Sequence, residues 1–129
     1  MSNAATAQAR IFEGLPGEVR NVRRFVGQLV DGCPTAADIV LLSSELAANA
    51  VLHSTSGADG TFSVHVLVEG RQVRVEVHDL GSDTAPTVHW PLQPSDGGVG
   101  LGIVEEIADR WGFDGGPNGR IVWFEMSWQ

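Results

Sequence analysis

The chain has 129 residues, 16 acidic against 8 basic for a formal net charge of -8, and a hydrophobic fraction of 43%. That length accommodates one domain with a real core rather than two, and that apolar content excludes a disordered chain. The acidic balance argues against direct nucleic acid binding and against an anionic membrane, and the one cysteine, Cys33, excludes an intramolecular disulfide and a Cys-rich metal site.

Residues 1–13 are rich in Ala with Ser, Asn and Thr, and read as a flexible N-terminus or edge strand ahead of a single domain over 14–129. Pro16 suits a first helical turn, and Val19, Val22, Val26 and Leu29 recur at helical spacing until Gly32, with Arg20, Arg23 and Arg24 outward. Pro34 and Thr35 restart the chain, and Ile39, Leu42, Leu46 and Ala50 mark a second helix to about His53. After a loop over 54–60, the runs TFSVHVLVE and RQVRVEVHD predict two strands separated by Gly70. In the second, Val73, Val75 and Val77 define a buried face that Asp79 inherits, and an acid there needs water or a donor partner.

The segment over 80–100 holds four glycines and three prolines, too many interrupters for a long element, and its length of roughly 20 residues fits a lid or binding loop. A third helix is predicted from about Leu101 to Trp111, then a turn around GFDGGPNG and a final strand RIVWFEMSW. Helices on one side of a mixed, mainly antiparallel sheet make an α/β (α+β) two-layer sandwich. With no apolar run near the length of a membrane span and no basic-then-apolar leader, the expected location is cytoplasmic.

Three short motifs carry the candidate chemistry. In SELAANAVLHS, Glu45, Asn49 and His53 are four residues apart, hence about 40 degrees apart around a helix, beside the Leu42 and Leu46 stripe. A carboxylate and an amide one turn apart can hold Mg²⁺, a hard ion that prefers oxygen, and position a hydroxyl. Equally, Glu45 can face solvent, Asn49 can bond to local backbone, and His53 can close the helix against its dipole. In GGVGLGIVEEIADRWG, Gly97, Gly98, Gly100 and Gly102 open a helix whose free amides can cradle a phosphate, although plain loop flexibility has the same composition. In VEVHDLG, Asp79 can accept from an exocyclic amino group while Gly81 lets a flat ring approach; an Asx turn closing the strand is the alternative.

In this order the three motifs resemble the N box, first glycine box and second glycine box of the Bergerat-fold (GHKL) ATP-binding superfamily. Together with the LPGEVRNVRRFV helix and the ADRWG ending, the chain looks most like the actinobacterial anti-sigma-factor serine/threonine kinase group, a kind of histidine kinase-like ATPase, from about Leu15 to Ser127. The resemblance implies ATP and Mg²⁺ as cofactors. It makes Glu45 the general base on a partner's hydroxyl, Asn49 the metal ligand and Asp79 the reader of the adenine amino group, with Gly81 beside the ring. It sets Gly98, Gly100 and Gly102 around the phosphates, with Leu101 packing the helix start and His53 near the nucleotide or structural.

The implied reaction transfers the γ-phosphoryl group to a Ser or Thr of an anti-anti-sigma (antagonist) protein. The implied partners are that antagonist, a sigma factor and, as a homodimer, a second copy of the chain. Ser82 and Asp83 stand where wider members of the superfamily often show a second glycine, and no Lys or Arg occurs between Leu80 and Glu106. Many relatives also place a threonine near the start of the last strand to help hold the adenine-reading acid, whereas Ile121 cannot donate. These departures leave open a catalytically weak or inactive nucleotide-binding module that works by protein–protein binding, and the shared boxes leave open a detached histidine-kinase domain.

Overall fold

The computed structural model describes residues 5–53, 60–81, 99–116 and 118–129; the side chains of His53, Val99 and Gly100 lie outside that description. In chain order the elements are β1 (Thr6–Glu13), α1 (Glu18–Leu29), α2 (Ala36–His53), β2 (Thr61–Glu69), β3 (Gln72–Asp79), α3 (Val99–Ile107), β4 (Arg110–Gly116) and β5 (Gly119–Ser127). Among the described residues the strands form one five-stranded sheet in the order β1-β2-β3-β5-β4, and all of these pairings are antiparallel. Helices cover one face of the sheet, giving the α/β two-layer sandwich expected of this sequence.

Local rules account for most of these elements. In α1 the buried residues are Val22 and Val26, one turn apart, while Arg20, Arg23 and Arg24 stay exposed. Gly32, just past that helix, has φ +86, a left-handed conformation that glycine adopts without steric cost. Glu69 pairs with Gln72 across a two-residue turn in which Gly70 has φ +61, as a tight hairpin requires. The sheet's helix-side residues, Phe62, Val64, Val66, Val73, Val75, Val77, Val122 and Phe124, pack with Ile39, Leu42, Leu46, Leu101 and Val104 in one buried cluster. Truncating Leu46, which has no exposed surface, to Ala should cost about 2 to 5 kcal/mol.

The opposite sheet face is wetter and charged. Arg74 bonds Glu76 at 2.7 Å and Glu125 at 2.8 Å, and its guanidinium lies 4.1 Å over the Trp123 ring. His65 and His78 stack with ring centroids 3.9 Å apart. Trp123 therefore packs on this face, while Trp128 packs against the edge of the core.

The third helix ends at Ile107 rather than near Trp111, and the glycine-rich run after it is largely strand rather than turn. Pairing decides this: Trp111 sits opposite Phe124 and Phe113 opposite Val122, while the side chain of Asp109 accepts from the Ser127 amide at 2.6 Å and from its hydroxyl at 2.9 Å. Sheet hydrogen bonds to an already committed β5 outweigh the low strand preference of Gly112, Gly115 and Gly116.

Candidate functional site

Helix α2 packs against both β3 and α3, so the element bearing the first motif touches the elements bearing the other two. Its small polar residues are mostly satisfied within the helix. The Ser43 hydroxyl donates to the Ile39 carbonyl and the Ser44 hydroxyl to the Leu41 carbonyl, both at 2.7 Å. Asn49 differs: it is 6% exposed, and its side-chain Nδ2 is buried with no hydrogen-bond partner among the described residues. An orphaned buried amide is costly, so native chains keep such a group chiefly where another group completes it.

One turn earlier, Glu45 is half-buried. Burial pushes its carboxyl up from the ordinary range, only partly offset by the positive charge of Arg23 on α1. A carboxylate held this way is a better proton acceptor than a free one. His53 is the last residue of α2.

At the end of β3, Asp79 lies on the valine face, 7% exposed, with its side chain fully buried. Its Oδ1 accepts from the Gly81 backbone N–H at 2.8 Å, which is the Asx-turn geometry, and Gly81 has φ +97. Its Oδ2 accepts from Arg120 Nη2 at 2.9 Å and Nε at 3.2 Å. Arg120, with 2% side-chain exposure, comes from β5 because the antiparallel register pairs it directly with Asp79. Ile121 pairs with His78, so it points to the other face and is not the residue next to the acid.

Arg120 is the functional candidate that the motif reading missed. The signal was present: Arg120 continues the alternation of Val122, Phe124 and Met126, so it shares their buried face, and Asp79 continues that of Val73, Val75 and Val77. Two buried, oppositely charged residues in phase on strands that pair predict each other.

Gly100, Leu101 and Gly102 fall in the first turn of α3, where backbone amides lack helical partners, and Leu101 is anchored in the core at 1% exposure. Gly98 and the body of the expected lid, 82–98, lie outside the described residues.

Among the described residues, three helices over one antiparallel sheet, with an acid-and-amide helix, a buried aspartate at a strand end and a glycine-opened helix in that order, define a Bergerat-type ATP-binding fold. The chain belongs to the histidine kinase-like ATPase domain family, whose model matches residues 12–126. Among solved structures it is similar to the crystal structure of the RsbU and RsbW domains of Rv1364c from Mycobacterium tuberculosis, with a TM-score of 0.72 at 22% identity. That match covers 95% of this chain and 32% of the other, so this chain spans about a third of that longer protein. No curated protein matches the chain. Among the described residues, no helix is long and apolar enough to cross a membrane.

Proposed function

We propose that the protein is an ATP-dependent serine/threonine kinase of the anti-sigma-factor type, acting on an anti-anti-sigma antagonist and binding a sigma factor. The observation that carries this reading is Asn49, whose buried Nδ2 has no partner among the described residues, one helical turn from a carboxylate that burial makes more basic. The side-chain oxygen of Asn49 is a hard donor of the kind Mg²⁺ prefers, so this residue fits the ion the family implies and leaves Glu45 free for the proton. Mg²⁺ held at Asn49 would supply the charge neutralisation that phosphoryl transfer needs.

The chain's own residues then have distinct tasks. Asp79, with Gly81 beside it, receives the adenine amino group. The amides of Gly98, Gly100 and Gly102 receive phosphate oxygens, with Leu101 anchoring their helix in the core and His53 closing α2 at the nucleotide side. Glu45 takes the proton from a Ser or Thr hydroxyl of the antagonist as that oxygen bonds to the γ-phosphorus, and the bond from that phosphorus to the bridging oxygen breaks to release ADP. The test incubates the protein with Mg²⁺, γ-labelled ATP and each antagonist-type protein of its source. Label should reach a Ser or Thr with wild type and be lost with Glu45→Gln; ATP binding without transfer to any of them contradicts the kinase assignment.

One observation favours a second reading, a regulatory module that uses nucleotide only to shape its partner surface. No Lys or Arg lies between Leu80 and Glu106, and the buried cation of the base end, Arg120, is committed to Asp79. In that case Glu45→Gln leaves partner affinity and regulation unchanged.

A further inference from the structure

Asp79 is held more firmly than a strand-end Asx turn requires. The turn needs one hydrogen bond, from the Gly81 amide to Oδ1. The second oxygen is gripped by two N–H groups of a guanidinium brought from β5, and both side chains are withdrawn from solvent. A buried ion pair is poor evidence of stabilisation for its own sake, because the loss of hydration on both ions offsets much of their attraction, and apolar replacements often do as well. What such a pair does supply is geometry: a carboxylate that cannot rotate, with its acceptor sites assigned.

Those assignments can be counted. A carboxylate offers about four lone-pair sites. The Gly81 amide takes one on Oδ1, and Arg120 Nε and Nη2 take both on Oδ2. Among the described residues no further donor reaches Asp79, so one acceptor remains, on Oδ1, beside the glycine. The group presented there accepts and cannot donate, so it matches an exocyclic amino group and repels a carbonyl in the same position.

The delivery of Arg120 is equally constrained. It pairs with Gly115 across the β4–β5 hairpin, and a Cβ added to Gly115 would lie 2.2 Å from the Gly119 carbonyl oxygen and 3.1 Å from the Arg120 Cα. Gly115 also has φ +91. Only glycine lets the two backbones approach so closely, and this approach sets the starting point of the Arg120 side chain.

We propose that Arg120 is the positioning residue for base recognition, fixing Asp79 so that a single Oδ1 acceptor faces the base and the site selects a 6-amino purine over its 6-oxo counterpart. This rests on the nucleotide-binding reading given above. Arg120 acts through Asp79 and does not itself touch the base.

The experiment measures binding of ATP and of inosine triphosphate, which carries a carbonyl in place of the amino group, by calorimetry with Mg²⁺. Wild type, Arg120→Lys and Arg120→Gln are compared, with folding of each checked by circular dichroism. Wild type should prefer ATP by about tenfold, the size of one good buried hydrogen bond. Arg120→Gln, which keeps donors but removes the charge and the two-point grip, should bring the ratio to within about twofold; Arg120→Lys, with charge but one compact donor, should fall between. A residue that merely held the fold would weaken both nucleotides together and leave the ratio alone.

An unchanged ratio in folded Arg120→Gln overturns the proposal while leaving nucleotide binding standing. If that variant does not fold, Arg120→Lys decides, and a wild-type ratio there overturns it. A rise in ATP affinity on loss of Arg120 also overturns it, since Arg120 would then compete with the base for Asp79. Wild type that binds neither nucleotide removes the nucleotide reading and this proposal together.

Discussion

Asp79 and Asn49 are both more than nine-tenths buried, and both were singled out as polar intrusions on apolar faces, yet the fold treats them oppositely. Asp79 has partners on both oxygens, drawn from its own turn and from a neighbouring strand. Asn49 has a buried amide nitrogen with none among the described residues. Under the proposed function, a satisfied group at the end of β3 and an unsatisfied one on α2 would give a base end built in advance and a phosphate end completed by what arrives. In that reading the base end would set selectivity, and the phosphate end would be where binding energy is available.

The largest effect should come from breaking the satisfied side. Arg120→Leu leaves a carboxylate buried without its countercharge and should lower unfolding stability by about 3 to 5 kcal/mol in urea denaturation. On the other side, ATP with Mg²⁺ at a hundredfold excess over its Kd should add about 2.7 kcal/mol to wild type, and should add no more to Asn49→Leu than ATP without Mg²⁺ does. Without nucleotide, the same Asn49→Leu variant should equal wild type or exceed it by up to about 1 kcal/mol, because an unpaired amide has been replaced by an apolar group of similar size. A variant at least as stable as its parent yet without the gain from Mg²⁺ would sharpen the comparison; a strongly destabilised one would break it.

Two further carboxylates extend the contrast with smaller effects. Burial raises Glu125, but hydrogen bonds from Arg74 and Arg110 outweigh it and hold the group below the usual carboxylate range. Its stabilising contribution is therefore present above the unfolded-state pKa and lost as pH falls through the lower folded-state value. Glu125→Gln should flatten the acid limb of a stability–pH profile. Glu45 is the reverse case, raised by burial against a partial offset from Arg23. The folded state holds that proton more tightly than the unfolded one, so stability declines as pH rises from the ordinary value through the raised one. Glu45→Gln should remove that decline, read as a higher thermal midpoint relative to wild type at neutral pH than at pH 4.

Much of this arrangement was legible in the chain. The 3.6-residue spacing of Ile39, Leu42, Leu46 and Ala50 marks α2, and the alternation of Val73, Val75 and Val77 marks β3 and the side on which Asp79 lies. Strand β4 was not legible, because Gly112, Gly115 and Gly116 give it the composition of a turn and its strand character comes from pairing with β5. The partner of Asp79 was hidden for a related reason. Reading β5 by motif directs attention to Ile121, whereas reading it by alternation selects Arg120, and only the register between β3 and β5 joins Arg120 to an acid 41 residues away. Local patterns are written in neighbouring residues; a pairing between distant strands is written in the phase of two patterns at once.

The most direct test of the two-ended site is a calorimetric titration of wild type, Asp79→Asn and Asn49→Leu with ATP, each with and without Mg²⁺. Wild type should bind saturably and more tightly with Mg²⁺, Asp79→Asn should lose binding under both conditions, and Asn49→Leu should lose the gain from Mg²⁺. Equal binding by wild type and Asp79→Asn, or no binding by wild type, would contradict the account.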